Sequence, residues 1–419
     1  MTRGRSATTC HDAGARRSFS CGRRPVAARA FAGGLLALLA LPLMAKAAPY
    51  LPSDDAQVVE RLPTAGSKSA RELRRLHAAL AQSPQNLALA LHVAGRDIDA
   101  ARAESDPRYN GYAEAALSPW INLPEPPPPV LVMRATLRQS RHDFAAALGD
   151  LDRVLAVDAG NAQAWLTRAV VLQVEGDYPR ALDNCTALRR LADPFVAEIC
   201  WDSVRVLDGA AAEGYAALQQ ALQRVRPGAS PALRLWALTI LAETAARLGD
   251  SGAAEGYFRQ ALSLGIGDGY LLGAFADFLL DEQRPDEVRS LLADKLRIDP
   301  LLLRLAMAEE SLDAPALAQH RSDLAERFAV ARQRGDAVHL REEARFTLYL
   351  RREPRAALAL ALANWAVQRE PWDARLVLEA ALAARAPEAA RPVLQWLAVS
   401  KLEDVHLRPL VARLEGAPR

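Results

Sequence analysis

The chain has 419 residues, of which 52 are basic and 50 acidic, with 51% hydrophobic and 24% charged residues. That balance excludes a disordered chain and a strongly basic nucleic-acid binder, and it leaves apolar material for two or three domains or one long repeat array. Ala and Leu dominate and β-branched runs are scarce, which favours helix over sheet.

Residues 1–47 read as an export signal. Arg3, Arg5, Arg16, Arg17, Arg23, Arg24 and Arg29 form a basic start, an apolar run follows from Phe31 to Met44, and Ala45-Lys46-Ala47 has the small-x-small pattern of a cleavage site. The run is shorter than the roughly 20 residues that cross a bilayer. The expectation is a cleaved secretory signal, with an uncleaved anchor as the alternative, a mature start near Ala48, a periplasmic or secreted location, and no stable membrane span afterwards. Arg16-Arg17-Ser18-Phe19 hints at a twin-arginine signal, but Arg23 and Arg24 separate it from the apolar run. Without this segment, which holds eight basic and one acidic residue, 44 basic residues face 49 acidic ones. Cys10 and Cys21 leave with the signal. Cys185 and Cys200 remain, an even pair in a compartment that permits disulfides. Fifteen residues apart, they are either bonded across consecutive helices or buried as small apolar side chains.

Residues 48–118 are expected to form an N-terminal helical cap or degenerate repeats. Helices are predicted at 54–61, 69–82 and 86–103, with Ser83-Pro84 as a break, and Asp106-Pro107 opens a short helix to about Leu117. Residues 119–129, with Pro-Glu-Pro-Pro-Pro-Pro, read as a polyproline II spacer or, alternatively, a docking site for a proline-reading module. Residues 130–405 are the main array, and 406–419 a capping helix and tail.

Periodicity decides the array. His142-Asp143-Phe144 with Ala147 recurs 34 residues later as Gly176-Asp177-Tyr178 with Ala181, and Gly249-Asp250 with Ala254 follows 73 residues after that, two periods plus five. Val288 follows Ala254, and Arg391 follows Ala357, by the same 34. The unit these residues describe is a helical hairpin. Gly ends one helix, Asp caps the next, the aromatic residue packs inside, and the small Ala lets the helices approach. Proline closes the unit, as in Asp193-Pro194 and Asp299-Pro300. With Trp165, Ala169, Gly176-Asp177-Tyr178, Ala181 and Leu188, unit 162–195 resembles the tetratricopeptide repeat family. Units then fall at 128–161, 162–195, 196–234, 235–268, 269–302, 303–337, 338–371 and 372–405, with the Gly-Asp turn absent or displaced in 196–234 and 303–337. The resemblance implies an all-α, right-handed α-solenoid of antiparallel helix pairs.

It also implies a concave groove lined by the first helix of each unit. Gln173, Trp236, Thr239, Glu243, Tyr270, Asp277, Met307, His339, Glu342, Phe346 and Tyr349 fall at those positions. Trp236 and Tyr270 are the expected binding anchors, whereas Trp165, Tyr178, Tyr257 and Trp365 are expected in the core. The lining is aromatic, polar and acidic, which suits a protein or peptide partner with apolar and basic groups. No catalytic constellation is evident. The seven histidines (11, 77, 92, 142, 320, 339 and 406) form no helical metal pair. Gly265-x-Gly267-x-Gly269 lacks the Lys of a phosphate loop and reads as a helix-ending turn. Glu309-Glu310 and Glu342-Glu343 are adjacent on helices and point apart. The reading is an exported scaffold or adaptor with no cofactor, no metal and no nucleic acid. Its alternatives are a cell-envelope assembly factor for outer-membrane or polysaccharide export machinery, and an enzyme carried on a helical array.

Overall fold

The computed structural model describes residues 54, 68–226, 228–335 and 338–416. The signal at 1–47 lies outside the described residues, as does the helix expected over 54–61 apart from Asp54. Helices α1 (Lys68–Gln82) and α2 (Leu87–Glu104) pair at the Ser83-Pro84 break, and Asn86 caps α2 by accepting the Leu89 N–H at 3.1 Å. After α3 (Arg108–Ala116) and the short α4 (Ser118–Ile121), the Pro-rich connector is briefer than the sequence suggested. Pro119 belongs to α4, while Pro128 and Pro129 form the first turn of α5 (Pro128–Ser140). A helix's first N–H groups have no partner within the helix, so proline costs nothing there.

Each of the eight units contains one helical hairpin. They pair α5 with α6 (Phe144–Val157), α7 (Ala162–Val174) with α8 (Tyr178–Leu191), α9 (Pro194–Arg205) with α10 (Ala211–Arg224), and α11 (Pro231–Leu248) with α12 (Ser251–Ser263). The next four pair α13 (Gly269–Asp281) with α14 (Pro285–Leu292), α15 (Asp299–Ser311) with α16 (Leu317–Gln333), α17 (Leu340–Arg345, prolonged by a π turn at Phe346–Leu350) with α18 (Pro354–Trp365), and α19 (Pro371–Ala383) with α20 (Arg391–Ser400). The closing helix α21 (Leu407–Glu415) starts one residue after the expected 406, and residues 401–406 before it run as an irregular strap. The described residues contain no strand.

Local chemistry accounts for the hairpins. Gly176 and Gly249 hold left-handed φ of +77° and +86°, and the Asp177 and Asp250 side chains accept the Arg180 and Ala253 N–H groups. At the first turn His142 takes the left-handed place with φ +58°, and Asp143 sits at the cap without a side-chain bond. The displaced turn of unit 196–234 is supplied by Gly209, φ +70°. Phe144 and Tyr178 are buried behind their caps, and Ala147, Ala181, Ala254, Val288 and Ala357 are fully enclosed. Burying a Phe or Leu side chain contributes about 1.5–3 kcal/mol, so successive hairpins that share such residues stabilise one another. Cys185 on α8 and Cys200 on α9 are joined by a disulfide, with Cα atoms 5.5 Å apart.

The array curls until its last units meet the hairpin turns of its first ones. The Arg369 N–H donates to the Val174 carbonyl at 2.8 Å, and the Val405 N–H to the Arg247 carbonyl at 2.9 Å. Glu403 accepts the Ala211 N–H at 3.2 Å. Trp396 lies 6.0 Å from Tyr178 between ring centroids, and a Cβ added to Gly176 would come within 2.8 Å of the Trp396 indole nitrogen. The glycine at that turn is therefore needed for its φ and for the close approach. A second closure joins the N-terminal pair to α13. A Cβ on Gly267 would meet the Ala103 carbonyl oxygen at 2.7 Å, and one on Gly269 the Ser105 hydroxyl at 1.9 Å. The glycine triplet at 265–269 thus ends α12 and also admits the end of α2.

Candidate functional site

The curl borders an open-mouthed cavity of about 130 Å³ on the concave side. Helices α7, α9, α11 and α13 supply one wall through residues such as Gln173, Ser203, Glu243, Arg247 and Tyr270. The opposite wall comes from α17, α19 and the strap, with Arg341, Glu370, Trp372, Arg375, Asp404 and His406. Tyr270 stands in this space with its side 58% exposed, tethered by its hydroxyl, which donates to Glu243 Oε1 at 2.8 Å. The floor is apolar at Phe258, Phe278 and Ile240.

Most charges in the walls are paired. Asp277 is buried and receives Arg304 at 2.6 Å and Arg345 at 2.6 Å. Burial pushes its carboxyl up, but the two guanidiniums outweigh this and hold it below the usual carboxylate range. Arg375 donates to both oxygens of Asp281 at 2.8 Å and to Glu379, and Arg341 pairs with Asp373 and Glu370. Trp372 lies under two guanidiniums, those of Arg345 and Arg375, each 4.4 Å from its ring centre. Glu243 and Asp404 differ. Neither has a cation at ion-pair distance among the described residues, and Arg247, whose field reaches both, donates to the Thr244 hydroxyl instead. Seven carboxylates thus meet five guanidiniums. Burial raises the Glu243 carboxyl to about 7, helped by Glu370 and Asp277, and burial also raises Asp404.

The sign of the Glu243 shift makes a prediction. A carboxyl raised in the folded state favours folding below its ordinary value of about 4.5, and that advantage is lost as pH rises through about 7. Glu243→Gln keeps an acceptor for Tyr270 and removes the charge. The variant should match the parent near pH 4 and exceed it above pH 7 by on the order of 1–3 kcal/mol, read from denaturant midpoints at the two pH values. A constant difference across that range would show that Glu243 is not held protonated.

Of the expected groove residues, Gln173, Glu243, Tyr270 and Asp277 line the cavity. The others do not. Trp236 shares the inward stripe of α11 with Ile240, Glu243 and Arg247 but lies at its far end, half-buried against the cluster of Phe195 and Ile199. Thr239 is buried, and its hydroxyl returns to the Leu235 carbonyl of its own helix at 2.9 Å. Phe346 is in the core, Met307 packs against that core, and the Tyr349 hydroxyl donates to Glu379. His339 is the N-cap residue of α17, and Glu342 lies beside Arg341 and Arg345 without lining the cavity. Tyr178 and Trp365 are core residues, and Trp165 and Tyr257 are partly buried against it. The far wall was missed, although Trp372, Arg375 and Glu379 form a legible polar stripe at helical spacing. Among the described residues no group of three or more His, Cys, Asp or Glu is placed to hold a metal ion, and no helix is long and apolar enough to cross a membrane.

Stacked helical hairpins with a 34-residue period make an all-α helical-repeat array whose Gly-Asp turns resemble those of tetratricopeptide repeats. No model of a known family matches the chain, and no curated protein matches its sequence. Among solved structures it is similar to the Cut9–Hcn1 hetero-tetramer of APC/C, with 13% identity and a TM-score of 0.47 over 83% of this chain and 66% of that one. It is also similar to the human IFIT1 dimer with m7Gppp-AAAA (14%, TM-score 0.43, 80% and 86%) and to Rap protein complexed with Competence and Sporulation Factor (13%, 0.40, 78% and 97%). The chain thus spans slightly under two thirds of the Cut9–Hcn1 chain. At these levels the likeness describes a helical array and nothing finer.

Proposed function

We propose that the protein is an exported scaffold that holds a protein or peptide partner in its concave cavity, without catalysis. The observation that carries this reading is the cavity itself, an open-mouthed space on the concave wall with an exposed tyrosine and apolar lining at Phe258, Phe278 and Ile240. Concave surfaces of stacked helical repeats are extended binding surfaces, and aromatic side chains are frequent anchors. The excess of carboxylates over guanidiniums favours a polypeptide over nucleic acid, whose phosphates need a basic track. Export is supported by the N-terminal pattern and by the Cys185–Cys200 disulfide, which persists in oxidising compartments.

Two measurements test the reading. The N-terminus of the protein from the cell envelope should begin near Ala48, and an intact Met1–Ala47 segment on the working protein would overturn the cleaved signal. A photo-crosslinking side chain at Tyr270 should give a discrete protein adduct in the native envelope, whereas the same group at Arg289, exposed on α14, should not. Equal labelling at both sites, or none at Tyr270, would overturn the binding role.

A further inference from the structure

We propose that the cavity receives a guanidinium or ammonium group of a peptide partner, with Glu243 and Asp404 as its counter-charges and the Tyr270 ring as its wall. This rests on the concave cavity being the binding site and names the chemistry it selects. Asp404 is only 6% exposed, lines the cavity, and has no cation at ion-pair distance among the described residues. One of its oxygens accepts the His406 N–H at 2.8 Å, which fixes the strap but leaves the carboxylate without a direct ion pair among the described residues. Glu243 lines the same cavity from α11, with the Tyr270 hydroxyl as its one side-chain donor. A buried carboxylate without a cation is costly, and that cost is relieved by a partner that brings the cation with it.

The remaining charges argue for a cation over an anion. Arg341 and Arg375 already serve two carboxylates each, and Arg345 is bound to Asp277 behind the wall. Arg247 is the cavity's one guanidinium without a carboxylate at ion-pair distance, and it offsets one of the two free carboxylates at most. The net charge offered to a ligand is negative. Tyr270 adds the other half of the selectivity, since its exposed ring presents an apolar face on which the methylene stem of Arg or Lys, or its cationic head, can lie.

Binding should follow the charge on these groups. Glu243 is faced by Tyr270 and Asp277 from α13, by Arg247 from its own helix and by Glu370 from the start of α19, while Asp404 is faced by Arg247, Arg375 and His406. With the Glu243 carboxyl at about 7, a cation should bind more tightly at pH 8 than at pH 6.

The test uses the whole protein lacking residues 1–47 and a capped peptide alternating leucine with arginine, compared by calorimetry with its twin carrying neutral citrulline. The arginine peptide should bind at pH 8 at least tenfold more tightly than the citrulline twin, and tenfold more tightly than at pH 6. Glu243→Gln should lose at least fivefold in affinity and most of the pH dependence. Asp404→Asn should lose as much, and Glu243→Lys, which places a fixed cation in the cavity, should abolish binding even where Asp404→Asn disturbs the strap. Melting by circular dichroism reports whether each variant is folded. Equal affinity for the two peptides, no binding of either, or arginine-peptide binding unchanged in Glu243→Gln and Glu243→Lys would overturn the proposal. In those cases a Tyr270 crosslink to an envelope protein would leave the binding role standing, and its absence would remove both.

Discussion

Asp277→Ala should lower the unfolding free energy by about 3–5 kcal/mol, the cost of stripping one partner from a buried ion group. Asp277 on α13 binds Arg304 of α15 and Arg345 of α17, so one carboxylate ties three successive units together. All three residues are at most 8% exposed. Arg304 has further acceptors in the Gly273 and Pro300 carbonyls at 3.0 and 2.8 Å, but Arg345 keeps only its place over Trp372 and a long contact to the Met307 sulfur. Without Asp277, two guanidiniums share a dry space with too few acceptors. Adding Arg345→Met to Asp277→Ala should recover part of the loss, because it removes the charge left most exposed to that penalty. Urea unfolding of the two variants measures both effects. A loss below about 1 kcal/mol for Asp277→Ala would mean that water reaches the group.

Breaking the Cys185–Cys200 bond should cost about 3 kcal/mol, the chain-entropy value for a loop of this size. The bond joins the second helix of one unit to the first helix of the next, around Asp193-Pro194. Both residues are buried, at 0% and 2% exposure. Cys185→Ala with Cys200→Ala is the fitting variant, since serine would add buried hydroxyls. The unfolded, unreduced protein should titrate no free thiol in the chain from Ala48 onward, and its denaturant midpoint should fall on reduction to that of the double alanine variant. Two titrating thiols would show that the pair is not bonded.

The array was legible because its signals are local. A glycine or histidine in the left-handed region, an aspartate behind it and an alanine one turn on mark three of the hairpins, and the 34-residue spacing placed the others. Their starts were less legible. Units placed at 196, 235 and 303 open earlier, at Pro194, Pro231 and Asp299, since a proline or capping residue begins the helix before the repeat register does. The site was half legible for a related reason. Glu243, Tyr270 and Asp277 follow from which face of α11 and α13 turns inward. Arg341, Trp372, Arg375 and Asp404 reach the same cavity only because small rotations between units add up over the array, and no single repeat displays that sum. Trp236, Thr239 and Phe346 show the opposite limit, where an inward register position is taken up by packing.

For the binding role proposed above, the contact between the last units and the first turns would also govern how fast a partner arrives. An open groove can be approached sideways, at rates set by diffusion and orientation. A cavity walled on both sides and strapped by residues 401–406 admits only what fits its mouth, unless Val405 leaves Arg247 and Arg369 leaves Val174. A folded partner presenting an internal loop would then have to await that opening, and its observed association rate would level off with concentration at the rate of opening. A free chain end could thread in without waiting.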